Sequence, residues 1–275
     1  MEGLNSWSRS RRSGRRGNPF NCAGQDEMGV KMKNADTKIV IVVIGVLVLY
    51  LANLFLVEGF LFEKGLTIPM ESVNYENIKI RALGDIAGMC VIPVIIVVLC
   101  WRRLSVLRLS LALLKICSVL ILSLLIFWFL HADYSIRGTY KILFYTFLIG
   151  FCEEFIFRGY AYNLLAPIHR KGAILISGVF FGMGHAVLPI VHGQLPLEKA
   201  VIAILSTIGG GIVAGYFFIY LEERSRTLLV PILIHAILDY SYKWYGLAIT
   251  ICVCAYFFVS HKREAVNCSV ISGRE

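Results

Sequence analysis

Residues 141–165 read KILFYTFLIGFCEEFIFRGYAYNLL, an apolar run with Glu153, Glu154 and Arg158 near its middle. A membrane helix needs about 20 consecutive apolar residues, and this run supplies them. Charged side chains at bilayer depth cost a few kcal/mol, so they are rare and face a bundle interior or a watery cavity. On a helix, Glu154 and Arg158 stand four residues apart with the acid first, the favourable order for an ion pair. Glu153 is rotated by about 100° from Glu154 and is left without a counter-charge on its own helix. An unpaired carboxylate in a low dielectric can take up and release a proton near neutrality, as a general base must. The alternative is a packing network of all three charges, although such a network has no use for the unpaired Glu153.

The rest of the chain is of the same character. It has 275 residues, 57% hydrophobic and only 16% charged, with a mean hydropathy of +0.72, against about 45–50% and about 25% in an average soluble domain. Disordered, collagen-like, coiled-coil and disulfide-scaffold classes are excluded by that balance. Apolar runs recur at about 39–62, 85–101, 110–131, 141–165, 173–190, 198–221, 227–243 and 246–259. The expected fold is therefore all-α: a polytopic membrane helical bundle of about eight transmembrane helices over 38–260, between a disordered basic tail (1–37) and a second tail (261–275). The first run ends without a small-residue cleavage site, which predicts a retained helix rather than a signal peptide.

A net charge of +9 could mark a nucleic-acid binder, but its distribution points to lipid instead. Residues 1–38 carry eight basic side chains against four acidic ones, and much of the remainder flanks apolar runs, where Lys and Arg set orientation. Arg102, Arg103 and Arg108, then Arg170 and Lys171, then Arg224 and Arg226, then Lys262, Arg263 and Arg274 fall in alternate connections. This predicts both termini on the cytoplasmic side, next to anionic headgroups. A compact chain without organelle signals is expected in a prokaryotic inner membrane, with membrane lipids as partners and no nucleic acid. Six of the eight cysteines lie inside apolar runs as small buried hydrophobes, so no disulfide framework is expected.

Two further spans carry polar groups. The fifth contains SGVFFGMGHAVLP, with His185 one turn after Phe181, and Gly178 and Gly182 in the small-xxx-small spacing that lets helices approach. The seventh, LLVPILIHAILDYSYKW, places His235 and Asp239 on one face, where the carboxylate can orient the imidazole. Singly, each is equally consistent with an interhelical tie. Together, three spans that bring polar groups to bilayer depth must converge on a shared cavity. The sixth span, with Gly209, Gly210, Gly211 and Gly215, reads as close helix packing. There is no internal repeat to support a transporter.

These three segments resemble the CAAX-protease and bacteriocin-processing (Abi) family of intramembrane proteases, whose motifs are E-E-x-x-x-R, F-x-x-x-H and H-x-x-x-N/D. Here they read Glu153-Glu154-Phe-Ile-Phe-Arg158, Phe181-Gly-Met-Gly-His185 and His235-Ala-Ile-Leu-Asp239, in family order, with the resemblance covering roughly residues 140–245. It implies an endopeptidase acting on a membrane-anchored protein or peptide. Glu153 would be the catalytic acid/base, His185 would hold the water, and His235 with Asp239 would stabilise the oxyanion; Glu154, Arg158 and Phe181 would support them. The eukaryotic enzymes carry Asn where this chain has Asp239, and an ionised aspartate must be protonated, or paired with an imidazolium, to serve there.

The chain has no H-E-x-x-H zinc helix and no G-x-S-x-G serine elbow. Glu153, His185, His235 and Asp239 would also make a mixed N/O set for zinc, but their scatter over three spans favours metal-independent chemistry with no cofactor. A non-catalytic bacteriocin-immunity or other binding protein is the competing class, since it would keep the cavity without needing Glu153 as a base.

Overall fold

The computed structural model describes residues 22–100, 111–131, 133–241 and 243–272, and every regular element among them is helical. Contiguous pieces are numbered here as single helices: α1 Cys22–Glu63, α2 Ile78–Cys100, α3 Leu111–His131, α4 Ile136–Tyr162, α5 Asn163–Gly193, α6 Leu197–Ser225, α7 Leu229–Tyr240 and α8 Lys243–Ser272. The described residues from Ile41 onward form one compact unit, and the part of α1 before Ile41 belongs to a separate one. Among the described residues, each apolar run of the sequence lies mainly on helix. Five segments are long and apolar enough to cross a membrane: Asp36–Glu63, Ile78–Leu99, Leu113–Leu130, Ile136–Gly193 and Leu197–Ser225; Leu229–Tyr240 and Trp244–Ser260 are shorter apolar helices. The outer surface is as apolar as lipid requires, with Leu56, Leu83, Val98, Phe129 and Val213 all more than two-thirds exposed. The chain is an integral, multi-pass membrane protein.

α1 takes in Cys22–Thr37, part of the stretch expected as a tail, and α8 continues past residue 260. Residues 1–21 and 273–275, and the basic connection with Arg102, Arg103 and Arg108, lie outside the described residues. α1 ends where Gly65 adopts φ 64°, and Leu66 N–H and Gly65 N–H bond back to Leu61 and Phe62 carbonyls, the paired bonds of a glycine-terminated helix. The expected boundary between the fourth and fifth spans is real but small. His169 leaves helical geometry (φ −156°, ψ 96°) two residues after Pro167, and its Nδ1 accepts the Gly172 N–H at 2.9 Å, capping the next turn.

Wide π-helical turns, invisible to a 3.6-residue period, occur in two helices. In α2 they span Ile86–Cys90, where Asn53 Nδ2 of α1 donates to the carbonyls of Ala87 and Gly88, both at 2.9 Å. In α4 they occupy Phe144–Phe151 and Phe155–Tyr162, on either side of the single α-turn Cys152–Glu154. Insertions of this kind gather at functional sites because they re-aim side chains within a continuous helix.

Two close approaches set the bundle. α5 and α6 meet through facing glycines: a Cβ on Gly211 would lie 2.4 Å from the Gly182 Cα, and one on Gly178 would lie 2.6 Å from the Ile212 Cα. Backbones at that separation exclude any side chain between them. α4 meets α7 through Gly150, where a Cβ would stand 3.0 Å from the Ile232 carbonyl oxygen. One turn beyond that crossing lie Glu153 and Glu154 on one helix and His235 on the other. α7 is the innermost helix, buried from Val230 to Ile237, and it packs with Leu120, Leu124, Phe218 and Leu221 of α3 and α6.

Gly211→Ala should therefore push α5 from α6 and lower the thermal midpoint of the detergent-solubilised protein, a loss of about 1–3 kcal/mol. Gly209→Ala, whose Cβ meets nothing within 4 Å among the described residues, should leave that midpoint within the range of ordinary surface changes.

Candidate active site

Four helices supply the site. α4 contributes Glu153, Glu154 and Arg158, α5 Phe181 and His185, α6 Phe218, and α7 His235 and Asp239. The buried half is built on Glu154, which is fully enclosed and whose Oε1 accepts from Arg158 Nη1 at 3.2 Å and from His235 Nδ1 at 2.7 Å. The ion pair expected from the i, i+4 spacing is present, but the bond across to α7 was not legible in the sequence. A carboxylate oxygen only accepts, so the Nδ1 of His235 carries a proton. Its Nε2 is thereby turned to the other side, 3.4 Å from Asp239 Oδ2 and 4.0 Å from Glu153 Oε2.

Aromatic rings hold this arrangement. The Arg158 guanidinium carbon lies 4.2 Å from the Phe181 centroid and 5.0 Å from that of Phe218, the geometry in which a desolvated guanidinium gains most from ring faces. Phe218 also stacks on the His235 ring, with centroids 4.7 Å apart and planes 23° apart. Phe181 meets His185 at 4.6 Å and His235 at 6.0 Å. The phenylalanine of F-x-x-x-H thus touches the arginine and both histidines. Phe218 escaped the sequence reading, though its position three residues after Gly215 places it on the same inward face of α6.

His185 and Asp239 form the open half of the site. Both are exposed, and His185 Nδ1 donates to the Phe181 carbonyl at 2.9 Å, which leaves the lone pair on Nε2 when the ring is neutral. Glu153 stands between the halves. Its side chain is 14% exposed, its Oε2 is buried without a hydrogen-bond partner among the described residues, and His185, His235 and Asp239 are all close enough to act on it electrostatically. The structure therefore brings Glu153, His185, His235 and Asp239 to one place, with Glu154, Arg158 and Phe181 behind them. Among the described residues, no group of three or more His, Cys, Asp or Glu side chains is arranged to hold a metal ion.

Residues 135–241 match the family described as Rce1-like, type II CAAX prenyl endopeptidase. No curated protein and no solved structure matches the chain. The Rce1-like stretch begins at the N-cap of α4, where Ser135 Oγ accepts the Gly138 N–H, and ends one residue past α7. It therefore contains the four helices that build the site and leaves out α1, α2, α3 and α8.

Removing one partner of a buried ion pair costs about 3–5 kcal/mol because the other charge is stranded. Arg158→Met should destabilise the protein by that order in detergent unfolding, while Arg158→Met combined with Glu154→Gln should recover much of the loss. Full additivity of the two would contradict the buried pair.

Proposed function

We propose that the protein is an intramembrane endopeptidase that hydrolyses a peptide bond of a membrane-associated protein or peptide, with Glu153 as the general base. The observation that carries this reading is the buried Glu153 Oε2, without a hydrogen-bond partner among the described residues and 4.0 Å from the Nε2 of His235, a spacing too long for a direct hydrogen bond, beside an open side marked by His185 and Asp239. The family name of residues 135–241 supports it.

The chemistry follows from which atoms face one another. A water held at the Nε2 of His185 gives its proton to Glu153, and the resulting hydroxide attacks the scissile carbonyl carbon. Negative charge then gathers on the carbonyl oxygen, which accepts from the Nε2–H of His235. That ring can donate from both nitrogens because a carboxylate faces each one, Glu154 on Nδ1 and Asp239 on Nε2. Pairing with an imidazolium is the condition under which an aspartate at position 239 does not repel the oxyanion, and Asp239 itself gives way to the oxyanion as acceptor. Collapse of the tetrahedral species breaks the C–N bond, and protonated Glu153 delivers its proton to the leaving amine. No covalent enzyme intermediate and no metal takes part in this scheme; the scattered ligand set is what favours the metal-independent form. The basic segments at both ends of the chain are proposed to face the cytoplasm.

Glu153→Gln keeps the shape of the side chain and removes its ability to accept a proton. With a farnesylated peptide ending in a CAAX box as the probe, this variant should lose about 10²–10⁴-fold in kcat with an unchanged unfolding midpoint. Unaltered cleavage would overturn the base assignment. Persistence of cleavage in excess strong chelator, in protein whose metal content is below stoichiometry, is the expected result for the metal-independent route; activity lost to chelator and restored by zinc would overturn it.

A further inference from the structure

Immediately before Glu153, Cys152 is only 1% exposed, and its Sγ lies 3.2 Å from the Sγ of Cys90 on α2. The hydrolysis proposed above uses neither thiol. Cys90 closes the π-helical turns Ile86–Cys90, and Cys152 opens the single α-turn Cys152–Glu154 between the two widened stretches of α4. The sulfurs therefore meet where both helices depart from a 3.6-residue period, and the two turns pack directly against each other. Asn53 of α1 holds the α2 side of this contact by donating to the carbonyls of Ala87 and Gly88. Buried Met89 packs in one cluster with Phe144 and Leu148 of α4.

Both cysteines are free thiols, and both lie in segments long and apolar enough to cross a membrane. A sulfur–sulfur bond is about 2.05 Å long, so this pair stands about 1 Å from covalent distance. The two side chains differ in access: Cys152 is enclosed, while Cys90 is half-buried beside the exposed Val91 and Val94. A thiol within reach of an oxidant next to a second that can resolve it is the arrangement of a redox-sensitive site. The depth of Cys90 favours an oxidant that dissolves in lipid, such as an organic hydroperoxide.

We propose that Cys90 and Cys152 form an oxidisable dithiol whose reversible disulfide ties α2 to α4 at the residue before Glu153 and slows the hydrolysis. The hydroperoxide ROOH transfers its terminal oxygen to the Cys90 sulfur; the O–O bond breaks, leaving ROH and a sulfenic acid on Cys90. The Cys152 sulfur then attacks the Cys90 sulfur, the S–O bond breaks, and hydroxide departs with the Cys152 proton as water. Two thiols have lost two electrons and two protons, and the hydroperoxide has been reduced to alcohol and water. Exchange with a dithiol reductant reverses the bond. Closing the gap displaces the Cys152–Glu154 turn, which carries both the base and the carboxylate bonded to His235. Because α2 lies outside residues 135–241, the tie makes the site answer to a helix that supplies none of its side chains. The slowing rests on the peptidase reading, whereas the disulfide does not.

For the test, the full chain in detergent micelles is treated with tert-butyl hydroperoxide, digested without reduction and mapped by mass spectrometry. Cleavage of the farnesylated CAAX peptide is measured before and after treatment. A Cys90–Cys152 linked peptide should appear and dithiothreitol should remove it. In parallel, kcat should fall about 10–10²-fold, the scale of an ångström-sized misplacement of a catalytic group, and recover on reduction. Cys90→Ser and Cys90→Ala should both cleave at the untreated wild-type rate and keep that rate in hydroperoxide. Absence of the link once the exposed Cys252 has been oxidised overturns the dithiol. A link with unchanged kcat, or equal inhibition of the two Cys90 variants, overturns its control of hydrolysis. An untreated chain that leaves the peptide intact yet forms the link would sink the peptidase reading, and the slowing with it, while the dithiol site stands.

Discussion

The arrangement of the site depends on Glu154, a carboxylate with no access to solvent whose one oxygen is shared by Arg158 of its own helix and His235 of another. Taking such a group out of water is so unfavourable that it survives only if its partners are held in place. Arg158 is fixed between Phe181 and Phe218, and His235 is fixed by Phe218 and by the burial of α7. Each of those aromatic contacts needs α5, α6 and α7 at close range. The cost of burying one charge thus links four helices, and the imidazole orientation that the chemistry requires is a by-product of satisfying it.

Glycine spacing is what allows those helices to come close enough. The Gly178–Gly182 and Gly211–Gly215 pairs let α5 and α6 meet backbone to backbone, which brings both Phe181 and Phe218 within reach of Arg158. Gly150 does the same for α4 and α7 one turn from the glutamates. In lipid, where burial of apolar surface gives helices no reason to associate, such packing and the polar contacts it permits carry the association. The π-helical stretches on either side of Cys152–Glu154 add a second adjustment, changing the rotation of α4 before and after the two glutamates.

The all-helical membrane class was legible because apolar run length reports it directly, and the three motifs were legible because charge at bilayer depth is costly and so stands out. The Glu154–Arg158 pair followed from helical spacing alone. What did not follow was anything that depends on how one helix faces another. The Glu154–His235 bond joins residues 81 apart in sequence, Phe218 reads as one more apolar residue, and the widened turns of α4 leave no mark in a pattern scored at 3.6 residues per turn. The break at His169 was placed only approximately, since Pro167 announces a boundary without fixing which residue leaves the helix.

Adjacent and chemically identical, Glu153 and Glu154 illustrate why sequence assigns a chemistry more readily than a role. Glu154 spends its charge on two bound cationic or hydrogen-bonding partners and has no exposed surface, so it is positioned to orient and not to exchange protons with anything that enters. Glu153 is displaced by a fraction of a turn, retains a small exposed area, and stands where the buried wall of the site meets its open side. A base must be able to receive a proton from a mobile reactant, and a carboxylate with no exposed surface cannot. If the two were exchanged in environment, with Glu153 locked to His235 and Glu154 free, the same two residues would exchange tasks. In the proposed scheme the division of labour is therefore fixed by the rotation between adjacent helix positions and by the crossing at Gly150, not by the identity of either side chain.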